Sequence, residues 1–317
     1  MVPLVLYLQD HCPNSGIFQF TRWRIAARLN LILLMDKRPG GLMEFSLSTI
    51  FFLFFIVMIL QPVLMGRIFA FRREQAIRAI ERKRRSRVIT MIHRQERRSF
   101  FGVNVSRMID LEDAQSIISA IKATPANTPI DLVLHTPGGL VLAAMQIARA
   151  VETHPAKVTV FVPIYAMSGG TLIALAADEI VMGEFSMLGP IDPQIMGISA
   201  ASIIAARDAK PIEHVSDVAL VLADVSDKAI AQVVRGAVEI MTPRMERGKA
   251  EELAKTLASG TWTHDYALTP AEARELGLEV TVGMPSEILD LMKLFPAPVK
   301  QSAVEFLPFD PPGKKLG

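Results

Sequence analysis

Cysteine is almost absent from this sequence, which has 317 residues and a single cysteine, Cys12. One cysteine excludes an internal disulfide framework and any zinc site built on cysteines. The formal net charge is only +2, so the overall charge gives no reason to expect nucleic-acid binding. Motifs for a phosphate loop, a metal site or ATP hydrolysis are also lacking. We therefore expect no metal and no cofactor, and any ATP dependence would require a partner protein.

Charge is missing altogether from residues 45–66. As a helix this stretch would be roughly 33 Å long, enough to cross about 30 Å of hydrocarbon, so it is predicted to be a transmembrane helix. The positive mean hydropathy of the whole chain also favours a membrane segment. Pro62 is expected to kink the end of this helix. A buried core helix and a cleaved signal peptide are the alternatives, but arginines follow Gly66 where a small-residue cleavage site would be needed.

The remaining domain organisation follows from this stretch. Residues 1–42 form an extension of uncertain status; one hypothesis, testable by N-terminal mass spectrometry, is that translation starts at Met43. Residues 67–98 contain 12 Lys/Arg and three Glu, typical of a cytoplasmic flank in contact with anionic lipid. No aromatic interleaving supports nucleic-acid binding there. Residues 99–295 form the globular domain, and residues 296–317 form a proline-rich tail that is expected to be extended or mobile.

Alternating strands and helices in the globular domain predict an α/β fold with a parallel sheet built from βαβ units. Two units run from a β-rich segment through glycines into a helix: strand 130–134, turn 135–139 and helix 140–151, then strand 157–162, turn 163–171 and helix 172–177. The carboxyl ends of parallel strands meet at one edge of a sheet, so both turns are expected to lie there. Further helices are predicted at 111–123, 198–207, 215–240 and 244–257 and after the capping box at Thr269, with strands at 179–182 and 280–282.

Ser168 stands where the second strand turns into its helix, a position that exposes the hydroxyl at the sheet edge. The first amides of a helix have no intrahelical partner and point to the same place. A serine nucleophile needs an accessible Oγ and hydrogen-bond donors for the oxyanion, which Gly138, Gly139 and Gly169 are expected to provide. The alternative interpretation is a serine that only caps a helix, next to an ordinary glycine turn.

Taken together, the two turns resemble the paired signature of the ClpP/crotonase-fold serine peptidases. The resemblance is carried by His135-Thr136-Pro137-Gly138-Gly139 and Met167-Ser168-Gly169-Gly170, and it continues through residues 176–182, 188–194 and 260–266. It is strongest to the membrane-bound SDH (serine dehydrogenase proteinase) proteins, relatives of signal peptide peptidase A, and covers residues 89–307. It implies a ClpP/crotonase-like fold after one N-terminal transmembrane helix, a serine endopeptidase that cleaves peptides or membrane-protein fragments, and a homo-oligomer. The apolar positions of helix 215–240 are a candidate contact or core face.

A serine hydroxyl also needs a base within hydrogen-bond reach. ClpP-type peptidases have a histidine a few tens of residues after the serine, but residues 167–207 contain no histidine. Relatives of signal peptide peptidase A use a lysine, and the first lysine after Ser168 is Lys210. The resemblance therefore implies a Ser168–Lys210 dyad. A lysine base must be neutral, which requires a pKa well below the usual value of about 10.4. His214 is the fallback base.

His135 and Asp192 are candidates for the substrate groove, although local turn structure would explain either residue. Trp262, His264 and Asp265 form a polar and aromatic cluster to which we assign a structural role. Two other functions stay open. One is a non-catalytic oligomeric membrane scaffold of the same fold. The other, ranked last, is crotonase-like acyl-CoA chemistry, which needs no nucleophilic serine at this turn.

The distribution of cations predicts the orientation of the chain. Because they crowd the C-terminal flank of residues 45–66, the globular domain is expected at the cytoplasmic face of the inner cell membrane. Alkaline phosphatase fused to the C-terminus should therefore be inactive, while a fluorescent protein fused there should fluoresce. An active phosphatase fusion together with a dark fluorescent fusion would refute this orientation.

Overall fold

A single long helix, α1 (Leu47–Arg84), is the first element of the computed structural model. The structure describes residues 47–93, 98–100, 103–105 and 108–295, so the predictions for residues 1–42 and 296–317 lie outside it. The chain divides into two units, residues 1–64 and 65–317. The helix is long and apolar enough from Phe51 onward to cross a membrane. It does not end near Pro62 but continues to Arg84, because the residues after position 66 are rich in Arg, Glu and Ala, which favour helix.

A five-stranded parallel sheet organises the second unit. Its strands, in their order across the sheet, are β1 (Arg87–Ile92), β4 (Ile130–His135), β5 (Val158–Val162), β7 (Glu179–Met182) and β11 (Val280–Val282). Every residue of β4 and β5 is buried, as expected for strands covered on both faces. The predicted α/β fold with a parallel sheet is confirmed.

Strand β1 is not among the predicted strands, because it lies inside the basic segment 67–98. Val88, Ile89 and Met91 are nevertheless buried, and the strand pairs in parallel with β4. The arginines that precede β1 obscure its short β-branched pattern in the sequence. One of these cations is structural as well: Arg84 forms an ion pair with the buried carboxylate of Asp131 in β4. The basic segment is thus partly built into the sheet.

Helices connect the strands of the sheet. They are α2 (Leu111–Lys122), α3 (Val141–Glu152), α4 (Gly169–Ala174), α5 (Ala200–Asp208), α6 (Asp217–Met241), α7 (Arg247–Ala258), α8 (Pro270–Glu275) and α9 (Ser286–Lys293), with a 3-10 turn at Ile212–His214. The predicted capping box of Thr269 is present, and a second capping box, between Asp110 and Asp113, starts α2. The residues that the structure describes also form three short strand pairs: β2 (Arg98–Phe100) with β3 (Val103–Val105), β6 (Tyr165–Ala166) with β8 (Met187–Leu188), and β9 (Gln194–Ile195) with β10 (Ile198–Ser199).

Residues that alternate along the strands of the sheet pack into two separate hydrophobic cores. Val133 and Phe161 pack in a small core with Ile80 of α1 and Ile288 of α9. Their neighbours along the same strands, such as Leu132 and Val160, belong to a larger core that includes α2, α3, α6 and α7. Because side chains alternate across a strand, these two cores occupy opposite faces of the sheet.

The two glycine turns meet at one edge of the sheet, as predicted. The N–H of Thr136 donates to the carbonyl oxygen of Tyr165 at 3.2 Å, and the N–H of Met167 donates to the carbonyl oxygen of Thr136 at 3.0 Å. These reciprocal bonds join the turn after β4 to the segment that carries Ser168. The sheet therefore fixes the position of one turn relative to the other.

Candidate active site

Ser168 has a backbone conformation that residues with side chains rarely adopt, with φ +51° and ψ −118°. Two hydrogen bonds hold it there. The N–H of Gly170 donates to the Met167 carbonyl at 2.8 Å, and the N–H of Leu172 donates to the Ser168 carbonyl at 3.1 Å. Such a conformation costs on the order of 1–3 kcal/mol and persists only where the surroundings enforce it. Ser168 precedes α4, but its side chain makes no capping hydrogen bond. Ser168 therefore does not act as a simple helix cap, and its hydroxyl is available to react.

The Gly138–Gly139 turn packs directly against Ser168. Gly138 has φ +102°, and a Cβ at this position would lie 2.7 Å from the Ser168 Cβ and 2.9 Å from the Met167 carbonyl oxygen. A Cβ on Gly139 would collide with the backbone of Ile109. Only glycines allow the two backbones to come this close.

Two backbone amides beside Ser168 remain available. Among the described residues, no acceptor is found for the N–H of Gly139 or of Gly169. A Cβ on Gly169 would lie 3.7 Å from the Gly139 nitrogen, so the two amides are neighbours. The Gly138 N–H, by contrast, donates to the Oγ1 of Thr136 at 3.2 Å. Of the three glycines predicted to hold the oxyanion, the structure leaves Gly139 and Gly169 with free donors, while Gly138 shapes the turn.

A cleft of about 590 Å³ opens over Ser168. Its polar lining consists of Ser168, Asp110, Asp192, Gln194 and His264, and most of its remaining wall is apolar, from Met108, Ile109, Leu140, Leu172, Ile191 and Val233. An apolar wall with a few convergent polar groups is typical of a binding site. Low local polarity also strengthens any charge interaction within it.

His264 and Asp192 form a pair on the lining of this cleft. The Nδ1 of His264 lies 2.7 Å from the Oδ1 of Asp192. The other oxygen of Asp192 accepts hydrogen bonds from Gln194 Nε2 at 2.7 Å and from the Ser199 hydroxyl at 3.0 Å. The hydrogen bond to Asp192 raises the pKa of His264, although desolvation opposes this rise. A buried carboxylate thus orients an imidazole that borders the same cleft as Ser168.

Contacts of Trp262 and Tyr266 hold the loop that carries His264. The ring of Trp262 stacks on that of Tyr266, with 5.3 Å between the ring centroids. The hydroxyl of Tyr266 donates to Glu272 of α8 at 2.6 Å. From the sequence we expect only a structural role for this cluster. The pairing with Asp192 could not be foreseen because the two residues are far apart in the chain.

The other predicted site residues lie elsewhere. Lys210 is exposed just after the end of α5 and is not among the residues that line the cleft. His214 is exposed as well. His135 is buried, its ring centroid 4.2 Å from that of Tyr165, and it does not line the cleft either. Within the part of the chain that the structure describes, the Ser168 hydroxyl has no hydrogen-bond partner, so no base engages it in the single chain.

One further histidine lies behind the Gly138–Gly139 turn and has no signal in the sequence. His93 is buried with 3% exposure. Its Nε2 lies 3.2 Å from Asp113 Oδ2, and its Nδ1 lies 3.0 Å from Thr136 Oγ1. Asp113 lies in the first turn of a predicted helix, and strand β1, which ends immediately before His93, is not predicted at all.

Comparison with known proteins identifies the relatives of this site. Residues 40–316 match the sequence profile of the ClpP-like SDH-type serine proteinases. The chain belongs to this family. This membership confirms the resemblance drawn from the two glycine turns, and it places the strained Ser168 in a family of serine proteinases.

Two proteins and two solved structures illustrate what this chain is similar to. Uncharacterized protein MJ0137 of Methanocaldococcus jannaschii is 47% identical over 276 residues, which cover 87% of this chain and 95% of that protein. Uncharacterized protein MJ1495 of the same organism is 47% identical over 279 residues, covering 88% and 95%. A solved structure of a mutant 1510-N membrane-bound stomatin-specific protease is 23% identical, with a TM-score of 0.40, covering 59% of this chain and 79% of that chain. A second mutant of that protease, in complex with a substrate peptide, is 26% identical, with a TM-score of 0.40, covering 58% and 74%.

The close approach at Gly138 predicts a sharp effect of a small substitution. Gly138→Ala should lower the rate at which a serine-reactive phosphonate labels Ser168 by about 100-fold or more, because the added methyl group pushes the turn away from the nucleophile. Gly277→Ala is the matched control, since its φ of +86° is also positive but nothing lies within 4 Å. The control should lose only about 1–2 kcal/mol of stability to backbone strain and keep its labelling rate. Normal labelling of Gly138→Ala would show that the turn does not support the site.

Proposed function

We propose that this member of the SDH-type family is a membrane-anchored serine endopeptidase that cleaves peptides or membrane-protein fragments at the cytoplasmic face of the membrane. The observation that carries the proposal is the strained, uncapped Ser168 beside two amides without acceptors, in a mostly apolar cleft. Family membership supports the class of reaction. The apolar length of α1 supports the anchor.

The proposed reaction has two stages. Ser168 Oγ attacks the carbonyl carbon of a peptide bond while a base takes its proton, and the resulting oxyanion accepts hydrogen bonds from the Gly139 and Gly169 amides. The C–N bond then breaks, the proton passes to the leaving amine, and an ester links the acyl fragment to Ser168. A water molecule then gives up a proton to the same base and attacks the acyl carbon. The bond to Ser168 Oγ breaks, the acyl fragment leaves as a carboxylic acid, and the base returns the proton to Oγ.

Lys210 is the base in this proposal. The resemblance to relatives of signal peptide peptidase A supports the assignment. The state of the Lys210 amine is consistent with this assignment, because the amine makes no ion pair or hydrogen bond with any residue the structure describes. Since the amine lies outside the cleft lining, the dyad forms only if the segment after α5 moves, or if a neighbouring copy delivers its own Lys210. His264 is the competing base, because it already borders the cleft and is oriented by Asp192.

Self-association is the second part of the proposal. Val218 and Val221 of α6 are 69% and 62% exposed, and Ile212 in the preceding 3-10 turn is 73% exposed. These side chains do not belong to the core, so the face they form is free to contact a second copy. This face adjoins Lys210 in sequence, which links assembly to the position of the proposed base.

The competing function is a non-catalytic oligomeric membrane scaffold of the same fold. A serine-reactive phosphonate separates the two functions, because only a peptidase requires an activated Ser168. Labelling of the wild type that disappears in Ser168→Ala supports the peptidase. Assembled protein that is never labelled supports the scaffold.

Peptidase turnover of four variants across pH identifies the base. Ser168→Ala and Lys210→Ala should each abolish turnover while the domain stays folded. Lys210→Arg should fail too, because a guanidinium group stays protonated and cannot accept the serine proton. His264→Gln should retain most of its activity, and the wild-type rate should rise with pH along one ionisation.

The opposite pattern would replace Lys210 by His264. Full activity of Lys210→Ala together with loss in His264→Gln would make the imidazole the base. The ionisation in the pH profile would then lie above about 6.5, because Asp192 raises the pKa of His264. His214→Ala is a control on the exposed 3-10 turn and should leave turnover unchanged.

The exposed face of α6 predicts how assembly can be disrupted. Val218→Asp and Val221→Asp should each reduce the mass of the detergent-solubilised protein measured by light scattering, because a buried carboxylate opposes apolar contact. Leu289→Asp, on the exposed surface of α9, is the matched control and should not change the mass. A wild-type protein that is monomeric at every concentration would contradict the proposed assembly.

A further inference from the structure

A chain of buried hydrogen bonds lies behind the Gly138–Gly139 turn, and none of its side chains lines the cleft. Asp113 Oδ2 lies 3.2 Å from His93 Nε2, His93 Nδ1 lies 3.0 Å from Thr136 Oγ1, and Thr136 Oγ1 accepts the N–H of Gly138 at 3.2 Å. His93 and Thr136 are almost completely buried. Buried polar groups are costly unless each has a partner, and here each partner leads to the next.

The tautomer of His93 decides the direction of these hydrogen bonds. The Oγ1 of Thr136 accepts the N–H of Gly138 and lies within hydrogen-bond distance of His93 Nδ1. When the imidazole proton is on Nε2, where it can donate to Asp113, Nδ1 is the acceptor for the Thr136 hydroxyl. The alternative acceptor for the Thr136 proton is the Gly138 carbonyl, at the longer distance of 3.5 Å. In this arrangement the Gly138 N–H is tied to a fixed point in the core.

The carbonyl of Gly138 is tied from a second direction. The N–H of Ile109 donates to it at 2.7 Å, and the Ile109 carbonyl accepts from Leu140 N–H at 2.9 Å. The Gly138 carbonyl and the Gly139 N–H belong to one planar trans peptide, so they point in opposite directions. Holding the carbonyl against Ile109 therefore aims the Gly139 N–H away from it, as one of the two amides that have no acceptor.

Asp113 links the hydrogen bond that holds the Gly138 N–H to the one that holds the Gly138 carbonyl. Its Oδ2 also accepts the N–H of Asp110 at 3.1 Å, and its own N–H donates to Asp110 Oδ1 at 2.9 Å. This capping box starts α2 immediately after Ile109. The Asp113 carboxylate thus contacts His93, which bonds to Thr136, and also Asp110, which follows the residue that bonds to the Gly138 carbonyl.

We propose that Asp113, His93 and Thr136 form a positioning device that aims the Gly139 amide at the oxyanion. The inference rests on the proposed peptidase function of Ser168, and it assigns positioning roles to three residues outside the cleft, of which His93 and Thr136 are buried. Their effect should fall on the transition state, because the oxyanion exists only there. Binding of the substrate by the apolar cleft wall should change little.

Thr136→Val is the direct test, because valine has the shape of threonine but lacks the hydroxyl. This substitution should lower kcat for a fluorogenic peptide by about 10- to 100-fold and change KM by no more than about twofold. The fall in kcat should not exceed the one expected when an oxyanion donor is removed altogether. Thr136→Ser restores the hydroxyl and should recover most of kcat, and His93→Phe should behave like Thr136→Val. Thr153→Val, at the exposed C-terminal end of α3, is the matched control and should leave kcat unchanged.

A second measurement does not depend on turnover. In protein labelled with nitrogen-15 glycine, the Gly139 amide resonance should shift in Thr136→Val and return towards the wild-type position in Thr136→Ser. An unchanged resonance, or an unchanged kcat in folded Thr136→Val, would overturn the inference. A fall in kcat that only matches the unfolded fraction seen by thermal unfolding would overturn it too. If the wild type is neither active nor labelled by phosphonate while the resonance shifts as described, the peptidase proposal fails and the positioning of the amide stands.

Discussion

The near contact between two backbone segments at Ser168 is the constraint on which the rest of the site depends. A hypothetical Cβ on Gly138 would touch both Ser168 and Met167, so the turn after β4 and the start of α4 meet without any side chain between them. This approach requires β4 and β5 to be adjacent and parallel, so that both turns emerge at one edge. The strained φ of Ser168 is tolerated because hydrogen bonds on both sides hold it.

The parts of the fold that come from local pattern are predictable from the sequence. The apolar runs of β4 and β5, the glycine turns and the capping box of Thr269 are each encoded within a few residues, and they appear where they are predicted. Strand β1 is not predicted, because arginines before it dominate the pattern. Helix α9 has no prediction either, since its burial against the sheet depends on long-range packing.

The candidate site shows the same division. Ser168 and its glycines form contiguous motifs, and their geometry follows from a strand–turn–helix rule. The pair of His264 with Asp192 and the pair of His93 with Thr136 join residues that are distant in the chain, and only the fold brings them together. Lys210 illustrates the converse: its spacing from Ser168 matches a known pattern, yet a single chain leaves it outside the cleft. Sequence spacing alone does not specify how the chain assembles.

The stacking of Trp262 on Tyr266 gives this protein a built-in optical reporter. The chain has only two tryptophans, and this one lies two residues before His264 in a loop tied to α8 through Tyr266 and Glu272. Indole emission responds to the polarity around the ring, so ligand entry, protonation of the neighbouring imidazole or docking of another chain near the cleft would each change its intensity or colour. Replacing the other tryptophan, Trp23, would leave a single emitter two residues before His264, which lines the cleft, and the cleft could then be followed in real time without an added dye.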